Sequence, residues 1–574
     1  MKNLHILFIL IICILYPAIN QAQSWKWATG ETPGSSEIEM KSMVADQFGN
    51  FFEAGYIGAG SALDSTVFGA CVLHHSASGS LLVTKTDSNG NYLWVLGTVS
   101  TEAFPNGIAT DAAGNVYVYG TFWYGTFSLD TITITSPTAM NYFIAKISPS
   151  GRALWVKKFA SYSKSPSTGG IGVDDAGNIF VTGDFCNPSL TIGSSTLTNT
   201  NPTGDSSDVY IAKFTSAGIP VWAKSFGGFK NDVANALSVT NKGDIFIAGQ
   251  YNSDTMNISG NILRDSLNFL AAYDSSGNCI WAKSMGRYTQ VYGMATDRLE
   301  NIYLTGGLDT SIIWGTDTLV DRGGSWFFPG GDAFVAKLDS RGDVQWARSD
   351  GGDSTDLGYS IVLDSCGNVW ACGGQNMSGF ANPGYVMHFG THTTTTTPGG
   401  WGLCWEPMFV VEYDNDGNFL TAVPTQCGGD DWNSIAVDRK GNFYISGDYH
   451  GYPVFGADTL AYSGGSELAF VAKYNYAHGS CSAIVPSLGV QPVLINGKKQ
   501  VYLYPNPSTN EITIRNAEAG SKLSIFNLMG KQVYSSTITD EKQVVDTKEF
   551  IPSTYLVEIT ANDGKHIVLS MIKD

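Results

Sequence analysis

The sequence predicts an all-β chain: a seven-bladed β-propeller of four-stranded blades, closed by an N-terminal strand and followed by a small Ig-like β-sandwich. Three observations predict it. A thirteen-residue phrase, seen as NGIATDAAGNVYV and SIAVDRKGNFYIS, occurs seven times, with turn positions at Asp46, Asp111, Asp174, Thr240, Asp297, Asp364 and Asp438. A second phrase, such as IAKISPSGRALWVKK, follows each copy in step. The last copy of that second phrase lacks its final strand, and a matching strand stands near the start of the chain.

The N-terminus comes first. Lys2 precedes an apolar run from Leu4 to Tyr16, then Pro17, and Ala22 offers a small-residue exit before Gln23. The run is shorter than the ~20 residues that span a bilayer, so residues 1–22 are expected to be a secretory signal peptide cleaved between Ala22 and Gln23. A lipoprotein reading based on Cys13 fits poorly. That cysteine lies inside the apolar run and follows bulky Ile12.

Each first phrase is a strand, a tight turn and a second strand. The Asp of D-x-x-G-N accepts backbone N–H groups ahead of it, and the Gly takes the φ > 0 conformation that a short hairpin requires. Thr240 replaces the Asp once and Glu300 replaces the Gly once, so neither side chain is indispensable. That pattern belongs to turn chemistry. A calcium loop needs D-x-D-x-D-G with a closing Glu, and no copy has it.

Each second phrase supplies two more strands, giving four per unit of roughly 65 residues, a longer unit than WD40 or kelch repeats. Outgoing strands carry Trp94, Trp155, Trp222, Trp281 and Trp346, and the sixth has Ala422 in the corresponding region. The seventh phrase stops after Lys473, while SWKWATG places Trp27 in register at the other end. Pairing of the Trp27 strand beside Phe470 to Lys473 would close the ring and remove an open edge. Over residues 24–480 these in-register copies resemble the SBBP family of seven-bladed β-propellers. The resemblance implies the fold and supplies no common catalytic residue.

The repeat ends at about residue 480, making 23–480 the propeller and 481–499 a linker. From residue 500, VYLYPNPSTNEITI, KLSIFNLMGKQVYS, TYLVEITANDGK and HIVLSMIKD alternate apolar and polar residues in short strands, as in a β-sandwich. This segment, 500–574, resembles the type A C-terminal sorting domain of the type IX secretion system of Bacteroidetes. The match lies in Tyr504, Pro505, Asn506 and Pro507, in the phrase Ile525 to Gly530, and in the last two strands. The resemblance implies handling by the type IX machinery and a secreted or outer-membrane-surface location.

Composition narrows the partners. The formal charge is −18, with 33 basic and 51 acidic residues and no basic cluster, which disfavours nucleic acid. Without Cys13, eight cysteines remain; they allow 105 pairings among which sequence does not choose. Cys366, in a hairpin turn, and Cys372, six residues along the next strand, are separated by roughly 20 Å at strand rise, too far for a disulfide.

Candidate site residues lie where the copies differ. His388 and His392 could face one direction on a strand, but His392 occupies the slot of Asp317 and Asp458, so the segment reads as an ordinary blade strand. Aromatics after each first hairpin, Tyr56, Phe122 with Trp123, Phe185, Tyr251 and Tyr449, suit either sugar stacking or packing between blades. Asp448 and His450, with Asp184 in the slot of Asp448, offer a carboxylate and an imidazole without a nucleophile or second carboxylate at recognisable spacing. Trp401 lies in the insertion from Gly379 to Trp405 that makes the longest repeat interval. The ligand-binding set is therefore Trp123, Tyr251, Tyr449, His450 and Trp401, with no catalytic, metal or cofactor residues.

The functional expectation is a monomeric, secreted or surface-displayed propeller that binds an extracellular carbohydrate or protein without chemistry. Two alternatives stand beside it. One is a polysaccharide hydrolase or lyase with acidic residues converging on the central channel; the other is a passive surface-coat component.

Overall fold

The structure, a computed structural model, describes residues 24–475 and 502–573 apart from segments between strands, the longest being 377–385, 396–407 and 425–433. The described residues fall into two compact units that divide at Gly479, except that the short turn Leu363–Val369 is grouped with the second.

In the first unit, antiparallel meanders follow one another along the chain. The first runs Ile38–Ala45, Phe51–Ile57, Ser80–Thr86 and Tyr92–Gly97, from innermost to outermost strand, and five more repeat this order. The last is completed from the other end of the chain: its sheet consists of Ser434–Val437, Phe443–Tyr449, Leu468–Asn475 and the N-terminal strand Ser24–Gly30. Trp27 pairs with Lys473 and Gly30 with Phe470, as the offset Trp27 phrase anticipates. Inner strands of successive sheets lie side by side, and the set is a β-propeller.

The expected turn chemistry is present. In the first hairpin Asp46 Oδ1 accepts the amides of Phe48 and Asn50 at 2.8 and 2.9 Å, and Asn50 Nδ2 donates to Oδ2 at 2.8 Å. Where Thr240 stands instead, its Oγ1 accepts the Asp244 amide. Glu300 adopts φ 65° in the place of glycine, a conformation costing a side-chain-bearing residue about 1–2 kcal/mol.

Each repeat also contains a short hairpin between its second and third strands, which the four-strand count did not include. Ser189–Ile192 with Ser195–Thr198 is one, and Ile312–Trp314 with Asp317–Leu319 another. These hairpins lie at the rim against outermost strands. The Asp317 carboxylate accepts the Ala347 amide at 2.9 Å, and Asp458 accepts the Ala28 amide at 3.1 Å. Thus IIWGTDTL and its relatives are rim hairpins, not blade strands. The hairpin holding His388 and His392 extends the edge of the preceding blade, where His388 sits opposite Gly351.

Blades are joined by a repeated tryptophan contact. Trp27, Trp94, Trp155, Trp222, Trp281 and Trp346 each lay the indole on a glycine in the second turn of the following blade: Gly90, Gly151, Gly218, Gly277, Gly342 and Gly417. Ring atoms come within 2.5 to 3.1 Å of where a Cβ would stand. These glycines have φ between 72° and 88°, so both the backbone and the ring exclude a side chain. The indole of Trp94 donates to Pro149 O at 3.1 Å, and Lys85 from the neighbouring strand donates to the same oxygen at 3.3 Å. Trp222 with Lys213 on Ser275 O, and Trp346 with Lys337 on Asn415 O, repeat the arrangement.

Cys366 is disulfide-bonded, whereas Cys372 is a free, fully buried thiol; the two are not joined, in keeping with their spacing. The second unit contains a three-stranded and a four-stranded antiparallel sheet. Ile512, Ile514, Leu523, Ile525, Val545, Val557 and Ile559 form its buried core. Alternate residues of its strands supply that core, as expected of a sandwich.

Candidate functional site

Counting backwards from the turn residue places equivalent positions of the inner strands at the same level of the ring. Four residues before it stand Ser42, Gly107, Gly170, Ala236, Gly293, Ser360 and Ser434, all small. Three before it stand Met43, Ile108, Ile171, Leu237, Met294, Ile361 and Ile435, all apolar. The small level lets neighbouring strands approach: a Cβ on Gly170 would meet Leu237 at 3.0 Å, and one added to Gly107 would meet Ile171 at 3.2 Å. Two serines at this level also join strands, Ser434 Oγ accepting the Met43 amide at 3.0 Å and Ser360 Oγ the Ile435 amide at 3.4 Å.

Five residues before the turn the copies diverge, to Lys41, Asn106, Gly169, Asn235, Tyr292 and Tyr359 among the described residues. At four of these the ladder is interrupted. The register shifts between Met40 and Ser42, Pro105 and Gly107, Ala234 and Ala236, and Val291 and Gly293, leaving Lys41, Asn106, Asn235 and Tyr292 as the extra residues. A β-bulge re-aims the side chain it carries. Here all four line a central cavity of about 520 Å³ whose wall includes residues from all seven inner strands. Such a volume lies within the range of small-ligand sites.

The wall mixes polar and apolar side chains and is close to neutral. Lys41 is its one formally charged residue among those described, and its Nζ lies 2.6 Å from Glu39. Burial, reinforced by Asp309, raises the Tyr292 phenol above its ordinary value, so Tyr292 is a neutral donor. Its hydroxyl is directed to Gln290. Among the described residues no group of three or more His, Cys, Asp or Glu is arranged to hold a metal ion.

The residues singled out from sequence fall elsewhere. Tyr251 and Tyr449 are fully buried in hydrophobic cores, Tyr251 with Phe226 and Phe269, and Tyr449 with Phe455 and Phe470. Their ring faces are covered by neighbouring side chains, which corrects their placement at a ligand surface. The reason is that these side chains lie on the sheet face that packs against the neighbouring blade, as Tyr251 does with Phe226 of the preceding one. Phe122 and Phe185 are buried for the same reason, and Tyr56 stacks on Phe104 of the next blade at 4.4 Å. Trp123 is 38% exposed and remains on the surface. Asp184 and Asp448 are buried. The His392 ring stacks on Phe419 at 4.3 Å.

His450 and Trp401 lie outside the described residues, as do Ala22, Gln23, Pro505, Asn506 and Pro507; Tyr504 ends the strand Tyr502–Tyr504. The channel positions are not legible in what the seven copies share. Their signal in the sequence is the variable column directly beside the small one.

A family model described as a secretion system C-terminal sorting domain matches residues 502–573. The C-terminal sandwich is a secretion sorting domain. Such a sorting domain is handled by the type IX secretion machinery, and it marks this protein for export to the cell surface or extracellular space. The chain is also 26% identical over 470 residues to an uncharacterized WD repeat-containing protein of Acanthamoeba polyphaga mimivirus, covering 67% of this chain and 32% of that relative. It thus spans about a third of the relative's length. Among solved structures, a Dyadobacter fermentans protein of unknown function aligns with TM-score 0.35 at 9% identity, over 80% of this chain and 100% of its own. Peptide-bound YCF48 aligns with TM-score 0.35 at 9% identity, over 80% and 97%.

Proposed function

We propose that this exported protein is a seven-bladed propeller that binds an extracellular ligand without transforming it, using the channel mouth and the connections around it. The observation that carries this reading is the layered channel. A level of uniformly small residues sets the spacing of the inner strands, and the level beside it varies from blade to blade and is bulged into the cavity. Variation beside a level that stays uniformly small suits recognition, because a rigid repeat holds differing side chains in fixed places. The region 23–480 would form this binding module, with the sorting domain from residue 500 delivering it.

The test is a glycan array and an array of extracellular proteins probed with the purified mature protein. Specific retention on either supports the reading. Retention on neither, or release of cleaved products from polysaccharides, overturns it.

A further inference from the structure

We infer that the channel mouth takes a neutral sugar, the uncharged end of a glycan. This rests on the binding reading above and gives its ligand a chemical class.

Asn106 and Asn235 each bring an amide that can donate and accept, Tyr292 and Tyr359 bring phenols and ring faces, and all four border one cavity. Tyr292 and Tyr359 come from adjacent blades with ring centroids 6.1 Å apart and planes inclined at 55°. Two inclined aromatic faces on a wall that also carries two amides suit a sugar, whose C–H face packs on a ring while its hydroxyls exchange hydrogen bonds.

Charge disfavours an anionic ligand. Lys41 is paired with Glu39, leaving no unbalanced cation on the described wall to attract a carboxylate or sulfate, and the chain carries a formal charge of −18. Anionic polymers meet repulsion at long range and no counter-charge at the site.

Backbone geometry separates a sugar from a peptide. Peptides commonly bind by adding a strand to an open edge, and the inner strands are such edges. In four of them the bulge falls at the variable level, breaking the regular ladder that strand addition needs. A compact ligand held by side chains avoids this obstacle.

The experiment is saturation-transfer NMR on the intact mature protein. The probes are glucose, galactose, mannose, N-acetylglucosamine and their neutral trisaccharides, with glucuronate and tetra-alanine as alternatives. The expected result is transfer to at least one neutral sugar, weakened at least fivefold in both Asn235→Ala and Tyr292→Phe variants that retain the parental thermal midpoint. If only one variant folds, that variant decides. Transfer to no neutral sugar, or only to glucuronate or tetra-alanine, overturns the inference. Sugar transfer unchanged in the folded variants also overturns it, by placing the sugar outside the channel, yet leaves the binding reading intact. Failure of the binding reading itself would show as silence on both arrays.

Discussion

The indole of Trp27 lies on Gly90, 3.1 Å from where a Cβ would stand, joining the last blade of the ring to the first. Trp27 comes from the strand that completes the last blade, and Gly90 from the second turn of the first. The indole N–H donates to Ser88 O at 3.3 Å, and Lys473, the residue paired with Trp27, donates to the same oxygen at 2.9 Å. The closing joint therefore uses the same contact as the other tryptophan joints. Trp27→Ala should cost about 2–3 kcal/mol, less than a fully buried tryptophan because the side chain is only partly buried. Denaturant unfolding of the two proteins measures it.

Glycines of the two turn families should respond differently to alanine. Gly49 and Gly342 have φ of 84° and 75°, but the space beside Gly49 is open, whereas the Trp281 ring stands 2.7 Å from a Cβ on Gly342. Gly49→Ala should cost about 1–2 kcal/mol from backbone strain alone. Gly342→Ala should cost ~3 kcal/mol or more, because the indole must also move. Equal losses in thermal or urea unfolding would mean that the tryptophan contact contributes nothing.

Stability should fall as pH rises from about 4 to about 7. Burial pushes the Glu53 carboxyl up to about 7, against hydrogen bonds from Thr84 and Ser446 that lower it. Burial likewise raises Asp232 and Asp350 to about 7 and, despite Arg322, Asp332 to about 6. A carboxyl whose folded value exceeds its unfolded one binds more protons when folded, so the stability it contributes at low pH is lost as pH climbs through the folded value. Hydrogen bonds from Asn278 hold Asp274 below its ordinary value, giving the opposite dependence in more acidic solution. Thermal midpoints should therefore be higher at pH 5 than at pH 8, and Asp232→Asn should reduce that difference.

Export should depend on the sorting domain. Deleting residues 500–574 should abolish delivery to the surface or medium while leaving a folded propeller inside the cell envelope. Fractionation followed by proteolysis of intact cells reads the outcome, and undiminished surface protein would refute it.

The ring was legible in sequence because turn chemistry is local: Asp, Gly and Asn act within five residues, and seven copies average out exceptions such as Thr240 and Glu300. Trp27 was legible because the missing strand left a specific gap. Rim hairpins were less so, since GTFSLDTITIT and PVFGADTL share little beyond a turn, and whether a short strand joins a blade or leans on its edge depends on distant residues such as Ala347. Tyr251 and Tyr449 show the same limit. A tyrosine near a strand end can face solvent or the core, and only packing decides. The channel column was present in the letters, but its meaning depends on bulges that a one-dimensional alignment does not display.

The closure of the ring is tested most directly by deleting Gln23 to Gly30 and adding the peptide Gln-Ser-Trp-Lys-Trp-Ala-Thr-Gly back in trans. The truncated protein should unfold at markedly lower urea concentration. Saturating peptide should restore the midpoint, whereas the same peptide with alanine in place of Trp27 should restore much less. An unchanged midpoint after deletion, or equal restoration by both peptides, would contradict closure through Trp27.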